Sequence, residues 1–546
     1  MDPPTKAEFA ATVQDAPKSK ASGVSGITNE MLQRQRAHGH YVLFQIVSAT
    51  IIQEQIPKDW KTGLLYCIPK APEWSGNMAE VRPIALLEHA RKIMFSIITN
   101  RLSAIMSRHG ILRGPNFSVL KGTTTKDPIH ILQAAMEDAR EFKKEQWIVF
   151  QDMKRCFDSV NCTPDGMLSR GLRRLRVPEA FIRLCENIAL SKVNKVITEY
   201  GATDEYHPEC GLDQGGVECP LLWRVAYDAL LCEIMDNCHG YVLKGPPNTP
   251  SVADLAFVDD TTWVSDTKEH MQDTLDVATS FFILNGVEIN AKKTNVIALN
   301  ASRNDDTPLM FGAPAEEIRP VDKNEAVRIL GVWVTAAGTT AATQLLVKQE
   351  VDTVCNILKP KAITDKQTTY IINNVLIPRV LYRISVQILP ATFLTRMTGK
   401  YMVLCKSKAR MPSTTPNSVM HHRRIYAVKN LADAQAEEQI STLALRLNDK
   451  GFLGQICRAR VLALQQRNKM DVVPTMAPGQ VKRYKHSFVS NVRALMAERN
   501  YTFDVSLAPD LVSLTMPSQR RNGLMVKFKT FGKPLPLVRF IMLINC

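Results

Sequence analysis

The sequence predicts an α+β chain whose last third is mainly α-helical. In the central third, short runs rich in β-branched and aromatic residues alternate with longer stretches of helical periodicity. From about Thr340 onward the pattern is almost entirely helical, with breaks expected at Pro360, Pro378 and residues 412–416 and 474–478. The 546 residues, 45% of them hydrophobic, are enough for about three or four compact units.

The balance of charge is strongly basic. A net charge of +15 indicates a polyanionic partner, with nucleic acid favoured over a membrane surface. No apolar run is long enough to span a bilayer, and the best candidate, Tyr41–Ile52, is short and interrupted. The N-terminus lacks the apolar region of a signal peptide. We therefore expect an intracellular protein, in the cytoplasm or the nucleus, with no membrane partner.

The cysteines and histidines indicate neither a disulfide framework nor a zinc site. The 12 cysteines are scattered through the chain without a Cys-x-x-Cys pair, and the 11 histidines form no His-x-x-x-His pair. Buried free thiols account for such a distribution better than metal ligands do.

The first part of the chain reads as helices and two strands before a buried strand. The predicted elements are a helix over 28–53, strands over 60–69 and 81–87, helices over 88–108 and 127–144, and a strand over 146–151. The last of these strands runs directly into Asp152.

The pattern continues through the middle of the chain. The predicted elements are helices over 164–174 and 178–190, a strand pair near 195–209, a helix over 220–238, a hairpin over 252–264, a helix over 271–284, a strand over 295–299 and a strand pair over 328–334.

The hairpin carries the most unusual pair of residues. Its two apolar runs, Val252–Val258 and Thr261–Val264, flank Asp259 and Asp260, so the turn is expected at the acidic pair. Adjacent carboxylates repel each other and lower β-propensity, so they do not stabilise the fold by themselves. A solvated polar turn is the ordinary interpretation. A divalent cation bound between the two carboxylates would attract both of them, and this attraction would outweigh their mutual repulsion.

A third acid and two cations favour the metal interpretation. If the strand that ends at Asp152 lies beside the hairpin, three carboxylates meet, and hard cations such as Mg²⁺ bind oxygen ligands of this kind. Two such ions about 4 Å apart clamp the attacking and leaving oxygens of a phosphoryl transfer. Lys70 ends one strand and Arg82 starts the next, which places an ammonium and a guanidinium where they could bind a triphosphate.

Eight blocks of sequence in this order resemble the fingers and palm of a reverse transcriptase, and in particular the polymerase of non-LTR (LINE-type) retrotransposons. They are residues 23–27, 60–70, 82–92, 152–158, 211–222, 257–260, 290–294 and 330–332. The resemblance implies a right-hand polymerase fold. It implies fingers within residues 1–115, a palm with interleaved fingers elements over 116–335, a helical thumb over 336–430 and a basic, mainly helical region over 431–546.

The resemblance also implies roles for the charged residues. Asp152, Asp259 and Asp260 would hold two Mg²⁺ ions, with Mn²⁺ as an alternative metal, and Asp259 is the firmer ligand of its pair. Lys70 and Arg82 would bind the incoming triphosphate.

Five further residues match positions that contact the substrates. Phe157 would lie under the sugar and exclude a 2′-hydroxyl, while Gln214 and Gly215 would pack against the template and the nascent base pair. Phe257 supplies the ring of the aromatic-x-Asp-Asp box, where the family usually has tyrosine. Lys293 would donate a proton to pyrophosphate.

The expected function is an RNA-directed DNA polymerase that extends a DNA primer with dNTPs on an RNA template and forms an RNA–DNA duplex. The chain has no block for an endonuclease, so we expect a polymerase segment of a longer or decayed retrotransposon reading frame. Two alternatives remain: a catalytically inert nucleic-acid binder, and an RNA-dependent RNA polymerase, against which Phe157 and Gln214-Gly215 argue. The oligomeric state is left open.

Overall fold

The structure is a computed structural model that describes residues 2–71, 73–120, 122–245, 249–302, 307–470, 473–475, 484, 487–508 and 523–530. Helices and strands alternate through the first two thirds of the chain, and helices dominate afterwards, so the predicted α+β class is confirmed. Within the described ranges, no helix is both long and apolar enough to cross a lipid bilayer.

Six α-helices and strands lie within the described residues up to His109. They are α1 (Lys6–Asp15), α2 (Asn29–Gln33), α3 (Ala37–Gln53), β1 (Thr62–Pro69), β2 (Val81–Leu86) and α4 (His89–His109). The single helix expected from Thr28 to Gln53 is divided in two, because Arg36 takes an extended backbone conformation between α2 and α3. Thr28 caps α2 by accepting a hydrogen bond from the Met31 amide, which explains why the helix begins there.

The central part of the chain contains nineteen described elements. They are α5 (Lys126–Phe142), β3 (Gln146–Gln151), β4 (Met153–Lys154), α6 (Met167–Arg174), α7 (Glu179–Leu190), β5 (Val193–Thr198), β6 (Gly201–Ala202), α8 (Cys219–Asn237), β7 (Tyr241–Val242), β8 (Ser251–Val252), β9 (Asp254–Phe257), β10 (Asp260–Ser265), α9 (Lys268–Asn285), β11 (Glu288–Ile289), β12 (Asn295–Leu299), β13 (Leu309–Phe311), β14 (Glu316–Ile318), β15 (Val327–Ile329) and β16 (Val332–Val334). The short strands β4, β7, β8, β11, β13 and β14 are additions to the predicted set.

The central sheet has the strand order β12-β3-β10-β9, and each neighbouring pair is antiparallel. All six residues of β3 are buried, because both faces of the sheet are covered. Trp147 and Val149 belong to the core that includes α8 and α9, whereas Ile148 and Phe150 belong to the core that includes α5. The alternation of side chains along one strand therefore joins two layers of helices.

A second four-stranded sheet lies beside the first, with the order β2-β1-β5-β6. β1 pairs antiparallel with β2 and parallel with β5. Since β5 follows α7, more than a hundred residues after β2, the chain returns to this sheet after it has entered the central one. The two sheets are therefore built from interleaved segments.

The next part of the chain is a helical unit with its own core. Its helices are α10 (Ala341–Leu358), α11 (Asp365–Ile371), α12 (Ile377–Arg383), α13 (Ala391–Lys408) and α14 (Asn417–His421). The break expected at Pro378 does not occur. A π-helical turn, Ile372–Leu376, joins α11 to α12, and Pro378 lies in the first turn of α12, where a missing N–H is tolerated.

The last described elements pack against the central part of the chain. They are α15 (Leu431–Leu447), α16 (Phe452–Arg467), α17 (Phe488–Glu498), β17 (Tyr501–Ala508) and β18 (Gly523–Thr530). The antiparallel β17–β18 pair was not expected in this mainly helical region, and residues 531–546 lie outside the described residues. On α16, Arg460 binds Asp138 at 2.8 Å and Glu141 at 2.5 Å on α5. The boundaries at 115, 335 and 430 stay predictions.

Candidate active site

The acidic hairpin forms as predicted, but its turn lies one residue earlier than expected. Phe257 pairs with Asp260, so Val258 and Asp259 are the two turn residues and Asp260 is the first residue of β10. A two-residue hairpin turn needs positive φ, and Val258 provides it with φ of +60°. Asp259 therefore projects from the tip of the hairpin.

The pairing of β10 with β3 places Asp152 at the same end of the central sheet as Asp259 and Asp260. β10 lies antiparallel to β3 with Thr261 opposite Gln151, so Asp260 and Asp152 occupy neighbouring positions just beyond that pair. Asn290 fixes Asp152 twice. Its amide Nδ2 donates to Oδ2 of Asp152 at 3.0 Å, and its backbone N–H donates to the Asp152 carbonyl at 2.9 Å. The register therefore places Asp152, Asp259 and Asp260 at one end of the central sheet.

The electrostatics of these acids favour a cation. Partial burial and the negative charges of Asp259 and Asp152 raise the pKa of Asp260 to about 6, while Arg328 opposes the shift. Since Asp260 keeps exposed surface, repulsion from its two neighbours is the firmer of these causes. A divalent cation among the three carboxylates would turn this repulsion into attraction.

The three carboxylates do not form a closed ligand cage. In the part of the chain that the structure describes, no three His, Cys, Asp or Glu side chains are arranged to hold a metal ion by themselves. Asp259 instead accepts a hydrogen bond from the Cys156 thiol at 3.4 Å. Mg²⁺ is commonly held by one or two carboxylates together with water and substrate phosphates, and this open oxygen donor set fits that manner of binding.

A cleft of about 690 Å³ separates the two sheets and collects most of the predicted substrate residues. Its lining includes Lys70, Arg82, Phe157, Gln214, Gly215 and Asp259. Asp152, Asp260, Phe257 and Lys293 are not among the lining residues. Phe257 is half-buried at the end of β9, and Lys293 is exposed in the short 3₁₀ turn that follows Asn290.

The two cations lie on the β1–β2 hairpin, opposite the acids. Arg82 pairs with Ile68 across the hairpin, and the Lys70 amide donates to the Glu80 carbonyl at 2.8 Å where the hairpin opens. Both side chains are exposed at the cleft. An anionic ligand in the cleft would therefore lie between the positive hairpin and the carboxylates.

The loop that carries Gln214 and Gly215 is docked tightly on β2. The Ala85 amide donates to the Gln214 carbonyl at 2.8 Å. Gly215 has φ of +148°, and a β-carbon placed on it would lie 2.3 Å from the Ala85 oxygen. Glycine is therefore required here both by conformation and by space.

A buried ion cluster that the sequence did not reveal supports this loop. Arg91, 2% exposed, binds Asp213 at 2.9 Å and Glu218 at 3.1 Å, and Lys192 reaches Asp213 at 3.4 Å. Burial acts to raise the pKa of Asp213, but the charges of Arg91 and Lys192 outweigh it and hold the pKa below its usual value. Arg91 and Glu218 lie 127 positions apart, so no local pattern in the sequence could pair them.

Phe157 lies at the floor of the cleft and packs on the helix behind it. Its ring centroid is 6.0 Å from that of Trp223 on α8, and the residue is half-buried. Packing in the core is therefore compatible with the predicted substrate role, because Phe157 contacts Trp223 and also lines the cleft.

Asp259 thus faces Lys70 and Arg82 across the cleft, and Asp152 and Asp260 lie beside it at the end of the central sheet. Residues 68–334 match the model of the family described as "Reverse transcriptase (RNA-dependent DNA polymerase)". This part of the chain is therefore similar to the reverse transcriptase family, and the matching relatives include polyproteins of R2 retrotransposable elements. This family generally uses divalent metal ions.

Curated relatives agree with this assignment. The chain is 25% identical to the "Retrovirus-related Pol polyprotein from type-1 retrotransposable element R2" of Popillia japonica, over 67% of this chain and 49% of that protein. It is 26% identical to the "Probable RNA-directed DNA polymerase from transposon BS" of Drosophila melanogaster, over 41% of this chain and 24% of that protein. The chain thus spans half or less of the length of these relatives.

Among solved structures, apo telomerase from Candida tropicalis aligns with 76% of this chain and 72% of its own, at 12% identity and a TM-score of 0.37. That score is too low to establish a shared fold.

Proposed function

We propose that the protein is an RNA-directed DNA polymerase that extends a primer 3′-hydroxyl with dNTPs by two-metal phosphoryl transfer. The observation that carries the proposal is the position of Asp259 in one cleft with Lys70 and Arg82. A triphosphate needs cations for its outer oxygens and acids that hold metal at its reacting phosphorus, and the cleft offers both from opposite walls.

The acids and the cations have different roles in the proposed reaction. Asp152, Asp259 and Asp260 would hold the metal, and Mg²⁺, or Mn²⁺ in its place, would supply positive charge that stabilises the attacking and leaving oxygens. Lys70 and Arg82 bind and orient the triphosphate, which reduces the entropy lost in reaching the reactive geometry. Lys293 donates a proton to the departing pyrophosphate after a movement towards the cleft.

The remaining residues select the substrates. Phe157 blocks the space of a 2′-hydroxyl, so dNTPs are preferred over NTPs. The Gln214–Gly215 loop supports the template base and the nascent pair, and Phe257 keeps the ring contact of the acidic box. The partners are an RNA template, a DNA primer and the RNA–DNA duplex that they form, consistent with the net charge of +15. We place this activity inside the cell, in the cytoplasm or the nucleus, because the template and primer are there.

The test is primer extension on an RNA template with dNTPs or NTPs as alternative substrates. Extension with dNTPs that is lost in Asp259→Asn supports the proposal. Preferential use of NTPs would identify an RNA-dependent RNA polymerase. Binding of primer–template without extension by either substrate would identify an inert nucleic-acid binder. Comparison of Mg²⁺ with Mn²⁺ in the same assay identifies the working metal.

A further inference from the structure

The residue before Asp259 has an unfavourable backbone conformation. Val258 has φ of +60°, and a β-branched side chain rarely adopts this left-handed region. Such a residue persists only where the surrounding structure holds it in place. Since Asp259 follows directly, any relaxation of Val258 would swing the Asp259 carboxylate away from its position in the cleft.

Asn116 holds both backbone groups of Val258. Its Nδ2 donates to the Val258 carbonyl at 3.2 Å, and its Oδ1 accepts from the Val258 amide at 3.3 Å. Asn116 is only 3% exposed. Its amide orientation is fixed in turn by Ser118, whose backbone N–H and hydroxyl both donate to Oδ1, at 3.1 and 2.6 Å.

Trp223 holds the same carbonyl from the other side. Its indole Nε1 donates to the Val258 oxygen at 2.9 Å, and the ring is completely buried. The indole stacks on Tyr227 with centroids 5.2 Å apart, and the Tyr227 hydroxyl lies 3.0 Å from Thr261 Oγ1 on β10. Helix α8 therefore grips the hairpin at its turn and at its second strand.

We propose that Asn116 and Trp223 are positioning residues, and that together they hold the strained turn so that Asp259 stays aimed at the metal site. The inference rests on the proposed polymerase function. Neither residue lines the cleft; each acts through the Val258 backbone. We call these two side chains, with their hydrogen bonds to Val258, the clamp. The rest of β9 and β10 is held by strand pairing and by the core, so loss of the clamp should loosen the turn without unfolding the sheet.

The test compares Asn116→Ala and Trp223→Phe with Trp263→Phe. Trp263 is a matched control, because it is an equally buried tryptophan of β10 whose indole donates to Gln151 at 2.9 Å and not to the turn. Binding of Mn²⁺ is followed by electron paramagnetic resonance in the presence of primer–template and a non-hydrolysable dNTP. We expect each clamp variant to weaken Mn²⁺ binding by roughly tenfold, the range seen when residues that orient metal ligands are lost.

Primer extension provides the second measurement. The clamp variants should need a correspondingly higher Mg²⁺ concentration for half-maximal rate, and Trp263→Phe should keep the wild-type requirement. Unchanged Mn²⁺ binding in Trp223→Phe, or an equal loss in Trp263→Phe, would overturn the clamp. If Asn116→Ala does not fold, Trp223→Phe decides the question, since it removes one hydrogen bond and keeps an aromatic ring. A wild-type protein that binds Mn²⁺ but extends no primer would refute the polymerase proposal, while the Mn²⁺ comparison would still judge the clamp.

Discussion

The carbonyl oxygen of Ala85 occupies the space that a side chain on Gly215 would need, since an added β-carbon would lie 2.3 Å from it. The neighbouring hydrogen bond, from the Ala85 amide to the Gln214 carbonyl at 2.8 Å, fixes this approach. The loop that leads from β6 into α8 is thus seated directly on β2 of the same sheet.

Gly215→Ala should therefore separate the loop from β2 and lower primer extension severely. The change adds one carbon where no flexible neighbour can give way, because the nearest atom belongs to the backbone. We expect a higher KM for dNTP and a lower kcat in primer extension. Gly399→Ala on α13 is the control, since nothing lies within 4 Å of its added carbon. That variant should keep full activity and gain up to about 1 kcal/mol of stability.

The two acids of the hairpin should differ in importance. Asp259 lines the cleft whereas Asp260 does not, so Asp259→Asn should reduce single-turnover extension to background and Asp260→Asn should leave measurable activity. Both variants should bind primer–template nearly as the wild type does. Asp273→Asn, on the exposed surface of α9, controls for the loss of a negative charge. Equal loss of activity in Asp259→Asn and Asp260→Asn would contradict this ranking.

Phe157→Ala should admit ribonucleotides, because it removes the ring that we propose excludes a 2′-hydroxyl from the cleft. The measurement is the ratio of kcat/KM for a dNTP to that for the matching NTP. Phe281→Ala is a suitable control, since Phe281 belongs to the same group of aromatic rings and is absent from the lining of the cleft. An unaltered ratio in Phe157→Ala would remove this residue from sugar selection.

Removal of the Arg91 guanidinium should strongly destabilise the fold. Arg91→Met leaves Asp213 and Glu218 buried without their main partner, and we expect a loss of about 3–5 kcal/mol in the free energy of unfolding. Arg113→Met removes an exposed pair of similar geometry, with Asp236 at 2.6 Å, and should cost about 0–1 kcal/mol. Urea denaturation of the wild type and both variants measures the free energy of unfolding of each. A small loss in Arg91→Met would show that water replaces the guanidinium.

Binding of primer–template should weaken steeply with salt. If the basic surface contacts six or more phosphates, the affinity should fall by about 10³-fold or more between roughly 50 and 200 mM salt. The measurement is fluorescence anisotropy at constant pH and Mg²⁺ concentration. An affinity that does not depend on salt would mean that the net charge of +15 serves another partner.

The sequence could single out Asp259, Lys70, Arg82 and the Gln214–Gly215 loop, which line one cleft, because each belongs to a short local block of sequence. It could not locate the support behind them. Arg91 and Glu218 are 127 positions apart, and only the folded chain reveals that they are partners. The turn was placed one residue too late for a similar reason, since the register of Phe257 with Asp260 depends on how β10 aligns with β3.

The misjudged elements have local causes. At Pro378 a π-helical turn absorbs the irregularity that a proline would otherwise impose, so the helix continues. In β17 the alternating apolar residues Tyr501, Phe503 and Val505 are typical of a strand. The helical periodicity of the neighbouring residues led instead to the prediction of a mainly helical region.

The contact between α16 and α5 has a genetic consequence. Asp138 is completely buried, and its carboxylate is bound by Arg460, by the Tyr241 hydroxyl and by the Lys244 amide. A stop codon placed shortly before position 460 would leave every residue of the cleft encoded, yet it would remove the Arg460 partner at 2.8 Å and leave this buried carboxylate with the longer 3.5 Å pair to Lys144. Copies of the gene shortened at the 3′ end should therefore lose their polymerase well before the lesion reaches the catalytic codons.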